Sequence, residues 1–306
     1  MILPHIEVQF QSVKSSVIII NNPVAKRASK RKVQIAFRYL KSRGYDVEVI
    51  STERKGHAEY IAKEAIKKVP SLIIAAGGDG TFNEVINGIA GSEVPMAILP
   101  LGTTNVLAKE IGVPENMKGA IDFALSKTPR NIFLGKITIV KKTLPITRYF
   151  ILMAGIGYDG ETVFGLNERL KKISGKGSYI YSGIKTLIKF NPVELIFDID
   201  RKIYYGYSAI IGKAAKYGGH FKIAHDAKLT DPVFYACIFK GKRRIDIVRY
   251  FLGILTGKHL RFRDVEYLQT KNIEIKGSSH IQLDGDYFGM TPAVIEVAPD
   301  MVKLIF

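Results

Sequence analysis

Hydrophobic positions in the first third of the chain follow two alternating spacings. Short β-branched runs predict strands at residues 17–20, 46–51, 71–76 and 96–99, and apolar residues three and four positions apart predict helices between them. Strands that alternate with helices favour a parallel sheet covered on both faces. We therefore predict an α/β domain over residues 17–131, preceded by an extension, residues 1–16, to which the pattern assigns no role.

The pattern changes near residue 130. Turn residues separate recurrent β-type runs, and only two stretches, residues 178–190 and 245–255, have helical spacing. Many short strands with few helices are typical of a β-sandwich or barrel-like domain. Residues 132–306 are therefore predicted to form a β-rich domain, with strands at 132–140, 149–153, 193–199, 204–211, 233–239, 272–276 and 293–297.

The charge balance narrows the class of partner. The 306 residues include 45 Lys and Arg but only 28 Asp and Glu, a formal charge of +17. Such an excess favours nucleic acid, an anionic membrane surface or phosphate-bearing ligands. Nucleic acid is disfavoured because aromatic residues do not interleave with the basic runs and no nucleic-acid-binding motif appears.

Cysteine content and hydropathy bear on location. The single cysteine, Cys237, excludes an intrachain disulfide framework and suits a reducing compartment. No apolar run approaches the roughly 18 residues that a membrane-spanning helix needs. We expect a cytoplasmic protein that contacts the inner membrane face peripherally.

The strongest chemical signal is a glycine-rich turn after the third predicted strand, Gly77-Gly78-Asp79-Gly80-Thr81, called here the first glycine turn. Residues without a Cβ let main-chain N–H groups approach phosphate oxygens, and the following helix adds the positive end of its dipole. Asp79 is placed to reach Mg²⁺ beside the phosphates. The alternative is a tight strand-to-helix turn in which Asp79 caps a helix.

A second glycine turn, Pro100-Leu101-Gly102-Thr103-Thr104-Asn105, follows the next predicted strand. Thr103 and Asn105 add a hydroxyl and an amide, and Asn22 follows the first strand. The carboxyl ends of parallel strands share one edge of a sheet, so these groups are expected to converge there. The chain has neither GxxxxGK[ST] nor a GxGxxG after a strand, so a nucleotide site here is of another kind.

With Asn83-Glu84 directly after the first glycine turn, these motifs resemble the diacylglycerol kinase catalytic family. More narrowly, the chain is similar to the soluble bacterial lipid kinases, relatives of sphingosine and ceramide kinases in the NAD kinase-like superfamily. The resemblance implies an ATP-binding α/β domain, a β-rich lipid-binding domain and an active site between them. The residues that it implies for ATP are Asn22, Thr52, Gly77, Gly78, Asp79, Gly80, Thr81, Asn83, Gly102, Thr103 and Asn105.

Near the end of the chain, Asp284-Gly285-Asp286 is called here the acidic turn. The resemblance implies that one of its carboxylates, first Asp284 and otherwise Asp286, accepts the proton of the lipid hydroxyl. An alcohol must lose that proton as the γ-phosphoryl group transfers. Asp-Gly between β-type runs is also a strong hairpin signal, and a hairpin can present the base.

The resemblance also implies two magnesium sites. One lies beside the phosphates, where two acids of the family pattern fall on Val106 and Phe133 and leave Asp79 as the main anchor. The other is a structural Mg²⁺ in the second domain, bound by the Asp231 side chain and by the carbonyls of Lys228 and Val233. Because Val106 and Phe133 replace two acids of the family pattern, a nucleotide-binding relative without kinase activity is the alternative.

We therefore predict an ATP- and Mg²⁺-dependent kinase that phosphorylates a diacylglycerol-like lipid at the cytoplasmic membrane face. The other candidates are a kinase of a sphingoid lipid, a small alcohol or NAD, and a non-catalytic nucleotide binder. The expected partners are the lipid substrate and an anionic membrane surface, and a homodimer stays open. A basic run at residues 169–176, before the helical stretch at 178–190, indicates a membrane contact or a core helix with solvated lysines.

Overall fold

The computed structural model describes residues 15–25, 30–141, 143–165, 186–188, 191–219 and 221–306. The extension at residues 1–14, the basic run at 169–176 and most of the predicted helix at 178–190 lie outside the described residues. The elements of the first half are β1 (Ser16–Asn21), α1 (Lys30–Ser42), β2 (Asp46–Ser51), α2 (His57–Lys67), β3 (Leu72–Gly77), α3 (Asp79–Ile89), β4 (Met96–Pro100), α4 (Val106–Ile111) and α5 (Met117–Ser126).

The first half forms a parallel sheet in the order β2-β1-β3-β4. All six residues of β3 and all five of β4 are buried, as expected for strands covered on both faces. Helix α1 buries Val33, Ala36 and Leu40, which are spaced three and four apart. Because the strands run in the same direction, β1, β3 and β4 end at one edge of the sheet.

The second half is dominated by strands, and its described helical segments are a short stretch at residues 186–188 and three named elements. The strands are β5 (Pro129–Lys141), β6 (Leu144–Phe150), β7 (Met153–Ile156), β8 (Leu195–Ile199), β9 (Lys202–Gly206), β10 (Ser208–Gly212), β11 (Lys216–Tyr217), β12 (Phe221–Lys222), β13 (Phe234–Phe239), β14 (Val265–Thr270), β15 (Asn272–Lys276), β16 (His280–Leu283), β17 (Asp286–Met290) and β18 (Ala293–Ile305). The helical segments are α6 (Tyr158–Phe164), α7 (Arg244–Leu255) and a 3₁₀ turn (His259–Arg261).

Two sheets enclose the second core. An antiparallel sheet of order β14-β13-β10-β7-β16-β17 faces a sheet that contains β5, β6, β8, β9, β15 and β18. The residues between them are apolar, with Phe150, Phe197 and Phe234 among the largest fully buried side chains. The predicted α/β domain followed by a β-sandwich domain is confirmed.

The last strand joins the two halves. β18 pairs with β5 and β15 in the sandwich, and Leu304 then pairs in parallel with Met96 of β4. The parallel sheet of the first half and one sheet of the sandwich are therefore a single hydrogen-bonded sheet. Cys237 is buried in β13. No helix among the described residues is long and apolar enough to cross a bilayer.

Candidate active site

The two glycine turns contact each other at the carboxyl edge of the sheet. The carbonyl of Gly77 accepts hydrogen bonds from the N–H groups of Leu101, at 2.7 Å, and Gly102, at 2.9 Å. A Cβ on Gly102 would lie 2.6 Å from the Cα of Gly78, and one on Gly78 would lie 3.1 Å from the Cα of Gly102. Close main-chain packing therefore requires glycine at Gly102 and leaves little space beside Gly78.

Asn22, at the end of β1, is bound to the start of α3. Its Nδ2 donates to the Thr81 hydroxyl at 2.9 Å, and its Oδ1 accepts from the N–H of Val24 at 3.1 Å. Thr52, the residue after β2, is buried, and its N–H donates to the Asn21 carbonyl at 2.8 Å. The structure thus brings the predicted residues of the first three strands to one edge.

Asp79 caps a helix. Its two carboxylate oxygens accept hydrogen bonds from the N–H groups of Val106 and Leu107, both at 3.0 Å. Burial raises the pKa of Asp79, and these two hydrogen bonds oppose that shift. The helix-cap alternative therefore describes the structure, but the capped helix is α4 rather than Asp79's own α3.

The edge of the sheet where the two glycine turns meet has no cluster of metal ligands among the described residues. Among the described residues, no three or more His, Cys, Asp or Glu side chains are grouped so as to bind a metal ion. Asp79, the predicted anchor, has both oxygens on main-chain N–H groups. These residues do not fit a resident Mg²⁺, whereas a Mg²⁺ held mainly by phosphate oxygens and water needs only one or two protein carboxylates.

Asn105 has an unusual surrounding for an amide. It adopts the left-handed conformation (φ 48°) and is buried, and its Nδ2 donates to the Gly102 carbonyl at 3.0 Å. Its Oδ1 has no hydrogen-bond donor among the described residues. A buried acceptor without a donor is costly unless a ligand supplies one. Thr103, two residues earlier, is exposed at the same edge.

The acidic turn is the tip of the β16–β17 hairpin. Asp284 and Gly285 have φ values of 50° and 88°, the combination that a type I′ turn requires. Behind the turn, the amide of Gln282 accepts from the Gly285 N–H at 2.7 Å and donates to Asp159 at 2.7 Å. The hairpin interpretation and the presentation of a carboxylate are therefore compatible.

Asp284 is held by main-chain amides. Its oxygens accept from the N–H groups of Ile151, Leu152 and Met153, each at 2.9 Å, and from Nδ2 of Asn83 at 2.8 Å. Each oxygen thus has two donors. Burial raises the pKa of Asp284, while the hydrogen bonds from Ile151, Met153, Leu152 and Asn83 oppose the shift.

Asp286 faces a cleft between the two halves. A Cβ on Gly80, in the first glycine turn, would lie 3.6 Å from Oδ2 of Asp286. Lys55 lies beside it, with Nζ 3.3 Å from the same oxygen. Both residues line a cleft of about 150 Å³, together with Gly56, Gly80, Asn83, Glu84, Arg148, Leu283, Tyr287 and Phe288. The carboxylate that reaches the predicted nucleotide turn is therefore Asp286.

Asn83, predicted to bind ATP, has its amide engaged within the protein. Its Nδ2 donates to Asp284 and to the Tyr149 carbonyl at 3.1 Å, and its Oδ1 accepts from Arg148 at 3.0 Å. Arg148 also donates to Glu59 at 2.9 Å. Asn83 therefore connects α3 to Asp284, and its contacts are those of a positioning residue.

The predicted structural Mg²⁺ site contains a lysine side chain. Nζ of Lys213 donates to the carbonyls of Lys228, Leu229 and Asp231, at 2.8, 3.1 and 2.8 Å. The Lys228 carbonyl, one of the ligands predicted for the metal, is thus occupied by an ammonium group. The trio of Lys228, Asp231 and Val233 does not fit a resident divalent ion, because a second cation would repel Lys213.

An aromatic cluster lies next to the acidic turn. The rings of Phe164 and His280 stack with centroids 4.2 Å apart, and the Phe164 and Tyr287 centroids are 4.9 Å apart. Phe164 is 57% and Tyr287 39% exposed. Burial lowers the pKa of His280, which favours its neutral form. The cluster presents an uncharged aromatic surface beside the cleft.

Comparison with known proteins gives the family. The profile described as "Diacylglycerol kinase catalytic domain" matches residues 16–137, and "YegS C-terminal NAD kinase beta sandwich-like domain" matches residues 153–306. The diacylglycerol kinase of Bacillus subtilis (strain 168) is 30% identical over 287 residues, which cover 92% of this chain and 92% of the relative. The chain belongs to the diacylglycerol kinase catalytic-domain family.

A second relative agrees with this assignment, and a solved structure shares the fold. The diacylglycerol kinase of Staphylococcus haemolyticus (strain JCSC1435) is 31% identical over 286 residues, covering 92% of this chain and 84% of the relative. A crystal structure of a diacylglycerol kinase from Bacillus anthracis str. Sterne has a TM-score of 0.70 at 20% identity, over 97% of this chain and 98% of that chain. The family model and the two diacylglycerol kinase relatives make this chain a lipid kinase, so the predicted enzyme class is confirmed.

Sequence reasoning missed two residues of the cleft and the lysine at the predicted structural Mg²⁺ loop. Lys55 and Arg148 line the cleft from a loop and an edge strand, and neither belongs to a recognisable motif. Lys213 carries a detectable signal, because it is a single lysine between the apolar end of β10 and Ala214-Ala215. A lysine in such a run indicates a buried, satisfied ammonium group.

Proposed function

We propose that this lipid kinase transfers the γ-phosphoryl group of ATP, bound with Mg²⁺, to the hydroxyl of a diacylglycerol-like lipid. The observation that carries the proposal is the approach of Asp286 to Gly80, with 3.6 Å between Oδ2 and the position of a Cβ on that glycine. A proton acceptor beside a phosphate-binding turn is the arrangement that phosphoryl transfer to an alcohol needs. The names of the Bacillus and Staphylococcus relatives support diacylglycerol as the acceptor.

The glycine turns provide the nucleotide side. Main-chain N–H groups at Gly80 and Thr81 begin α3 and can bind phosphate oxygens with the helix dipole. Asn105 supports the second glycine turn from behind, since its Nδ2 donates to the Gly102 carbonyl and its buried Oδ1 lies against Gly102. Mg²⁺ would arrive with ATP and neutralise charge on its phosphates. The protein's part is to hold those phosphates in line with the acceptor.

The acidic turn provides the acceptor side. We assign Asp286 as the group that receives the hydroxyl proton, because its oxygen faces the cleft. The lipid oxygen then forms its bond to the γ-phosphorus, the bond from that phosphorus to ADP breaks, and the proton goes to the carboxylate. Asp284, whose oxygens each accept two N–H groups, holds the segment from Ile151 to Met153 in place.

The aromatic cluster of Phe164, His280 and Tyr287 is proposed to bind the glycerol end of the acyl chains. It is uncharged, partly exposed and continuous with the cleft through Tyr287. Phe and Tyr rings contribute apolar area, and the Tyr hydroxyl adds a polar end suited to a lipid–water boundary.

Helix α7 is proposed to contact the anionic membrane surface. Its residues Ile245, Phe251 and Leu252 are 64%, 56% and 55% exposed, and Leu255 is 38% exposed. Exposed cationic residues surround this apolar face: Lys242, Arg243, Arg244, Arg249 and Lys258. The apolar residues suit the acyl boundary of a bilayer, and the cations suit its anionic head groups. The net charge of +17 adds long-range attraction.

The activity is tested with radiolabelled ATP, Mg²⁺ and a panel of acceptors in anionic mixed micelles. We expect diacylglycerol to yield phosphatidic acid, with less product from sphingosine, ceramide or NAD. Asp286→Asn is the control, because it keeps the shape of the side chain but accepts no proton. Phosphorylation of NAD alone would overturn the lipid assignment, and ATP binding without any acceptor-dependent transfer would favour a non-catalytic nucleotide binder.

The membrane contact is tested by sedimentation with vesicles. Wild-type protein should bind phosphatidylglycerol vesicles, release from them as salt rises, and bind phosphatidylcholine poorly. Phe251→Ser with Leu252→Ser should weaken binding, whereas Ile203→Ser, an exposed apolar position on β9, should not. Equal loss in both variants, or equal binding to both vesicles, would contradict the proposal.

A further inference from the structure

Lys213 is the largest charged side chain in the interior of the described chain. It follows β10 directly and has no solvent-exposed surface. An unpaired ammonium group in such a place is strongly unfavourable, so its surroundings must satisfy it. All three of its N–H donors are used, by the carbonyls of Lys228, Leu229 and Asp231, which form what is called here the carbonyl cradle.

The carbonyl cradle has the composition of a cation site. Three converging main-chain oxygens are ligands that hard cations prefer, and the charge of the Asp231 carboxylate also acts on the ammonium group. Burial lowers the pKa of Lys213 to about 8, and Asp231 opposes the shift. The side chain therefore remains mostly charged at neutral pH.

The cradle is connected to the segment that binds Asp284. The Leu229 carbonyl also accepts from the N–H of Phe133 in β5, at 2.9 Å. The N–H groups of Lys213 and Ala214 donate to the Leu152 carbonyl, at 2.8 and 3.0 Å. The N–H of Leu152 in turn donates to Asp284. The side chain of Lys213 thus binds the cradle, and its main chain binds the segment that holds Asp284.

We propose that Lys213 is a built-in structural cation that takes the place of a divalent metal ion in this domain. Its ammonium group holds the 228–231 loop against β5 and β10, next to the segment that binds Asp284. The resemblance noted above implies a Mg²⁺ at this loop, and the occupied carbonyl of Lys228 is the disagreement from which the proposal starts. The consequence is a fold whose stability does not depend on divalent cations.

The first test uses the unaltered protein and thermal unfolding, a measurement independent of kinase activity. The Tm should be the same in excess EDTA and in millimolar Mg²⁺ or Ca²⁺ without nucleotide. A fall of several degrees on chelation would overturn the proposal, because the wild-type fold would then contain a stabilising divalent ion. This result does not depend on whether any variant folds.

The second test removes the ammonium group. Lys213→Ala removes one donor from each of the three carbonyls, leaves the Asp231 carbonyl without its Nζ partner, and should lower the Tm by roughly 5–10 °C. Mg²⁺ or Ca²⁺ should restore part of that loss by binding the vacated oxygens, and Asp231→Asn in the same chain should abolish the restoration. Lys240→Met, which removes an exposed lysine paired with Glu266, is the matched control and should show neither effect.

The outcomes separate the explanations. If Mg²⁺ or Ca²⁺ restores the Tm of Lys213→Ala but not that of the double variant or of Lys240→Met, the lysine fills a cation site. If Lys213→Ala loses the same Tm with and without Mg²⁺ or Ca²⁺, the vacated oxygens do not bind a cation, and this result contradicts the proposal. A Tm of Lys213→Ala equal to that of the wild type would contradict it as well.

Discussion

Asp284 and Asp286 are two residues apart in one hairpin, yet their surroundings are opposite. Asp284 has four N–H donors on its carboxylate and does not line the cleft. Asp286 is 38% exposed, lies beside Lys55 and faces the first glycine turn. A carboxylate whose two oxygens each accept two N–H groups of the protein has no oxygen directed at a substrate hydroxyl, although burial raises its pKa. The comparison therefore separates a residue that fixes geometry from one that is placed to exchange a proton.

The type I′ turn explains how adjacent positions acquire such different roles. With Asp284 and Gly285 both at positive φ, the chain reverses between the two aspartates. Asp284 is therefore turned toward the β6–β7 junction, and Asp286 begins the returning strand. Because Asp284 is anchored by four hydrogen bonds, the short turn after it also fixes where Asp286 begins β17.

The most severe test of this difference is Asp286→Asn. If Asp286 accepts the hydroxyl proton, kcat should fall by roughly 10²–10⁴ while ATP affinity changes little. The free energy of unfolding should also change little, because the side chain is partly exposed. Steady-state kinetics, calorimetry with ATP and urea unfolding measure the three quantities. Near wild-type turnover in this variant would transfer the role to Asp284.

Asp284→Asn should instead be destabilising. The amide replaces one acceptor oxygen with an NH₂ group that faces two N–H donors, so buried donors lose their partner. Each N–H donor left without an acceptor costs about 1–3 kcal/mol, so the two together give the largest loss of stability expected here, measured as the free energy of unfolding in urea. Turnover should fall too, because the turn moves. A stable Asp284→Asn protein with no activity would identify Asp284 as the base.

Asn83→Ala tests the connection between α3 and Asp284. It removes one of the four donors to that carboxylate and leaves Arg148 without one acceptor. The expected loss of stability is about 1–3 kcal/mol, smaller than for Asp284→Asn because three main-chain donors remain. ATP affinity should be nearly unchanged. A large loss of ATP affinity with full stability would restore the sequence-based prediction that Asn83 binds the nucleotide.

The sequence was sufficient for features that depend on neighbouring residues. β-branched runs and glycine turns predicted the parallel sheet and its functional edge, and Asp-Gly predicted the hairpin. The predicted strand at 149–153 is interrupted, however, because the N–H groups of Ile151 and Leu152 bind Asp284, more than a hundred positions away. The predicted strand at 204–211 is divided at Tyr207 because β9 and β10 belong to different sheets.

Long-range polar partners explain the rest of what the sequence did not reveal. Asp79 was expected to anchor Mg²⁺, but α4 supplies two N–H groups whose position depends on how the second glycine turn packs. The loop at 228–231 matched a metal-binding spacing, but the cation beside it is Lys213, directly after β10. In both cases spacing located a charged site, and the fold determined which partner satisfies it.

Lys55→Met is expected to have the smallest effect and distinguishes two explanations of the Asp286 environment. The pair is exposed, with 67% of the Lys55 and 38% of the Asp286 side chain accessible, so the pair contributes at most about 1 kcal/mol. If Lys55 only steadies Asp286, kcat should fall by no more than about fivefold at unchanged KM for ATP. If Lys55 instead binds the γ-phosphate, the KM for ATP should rise and its salt dependence should weaken. Lys67→Met is the matched control, because it removes an equally exposed lysine that is paired with Glu64 on the adjacent helix and lies outside the cleft. A kcat loss as large as that of Asp286→Asn would show that the proton acceptor needs the ammonium group beside it, and the difference between the two aspartates would then depend on Lys55 as well as on the turn.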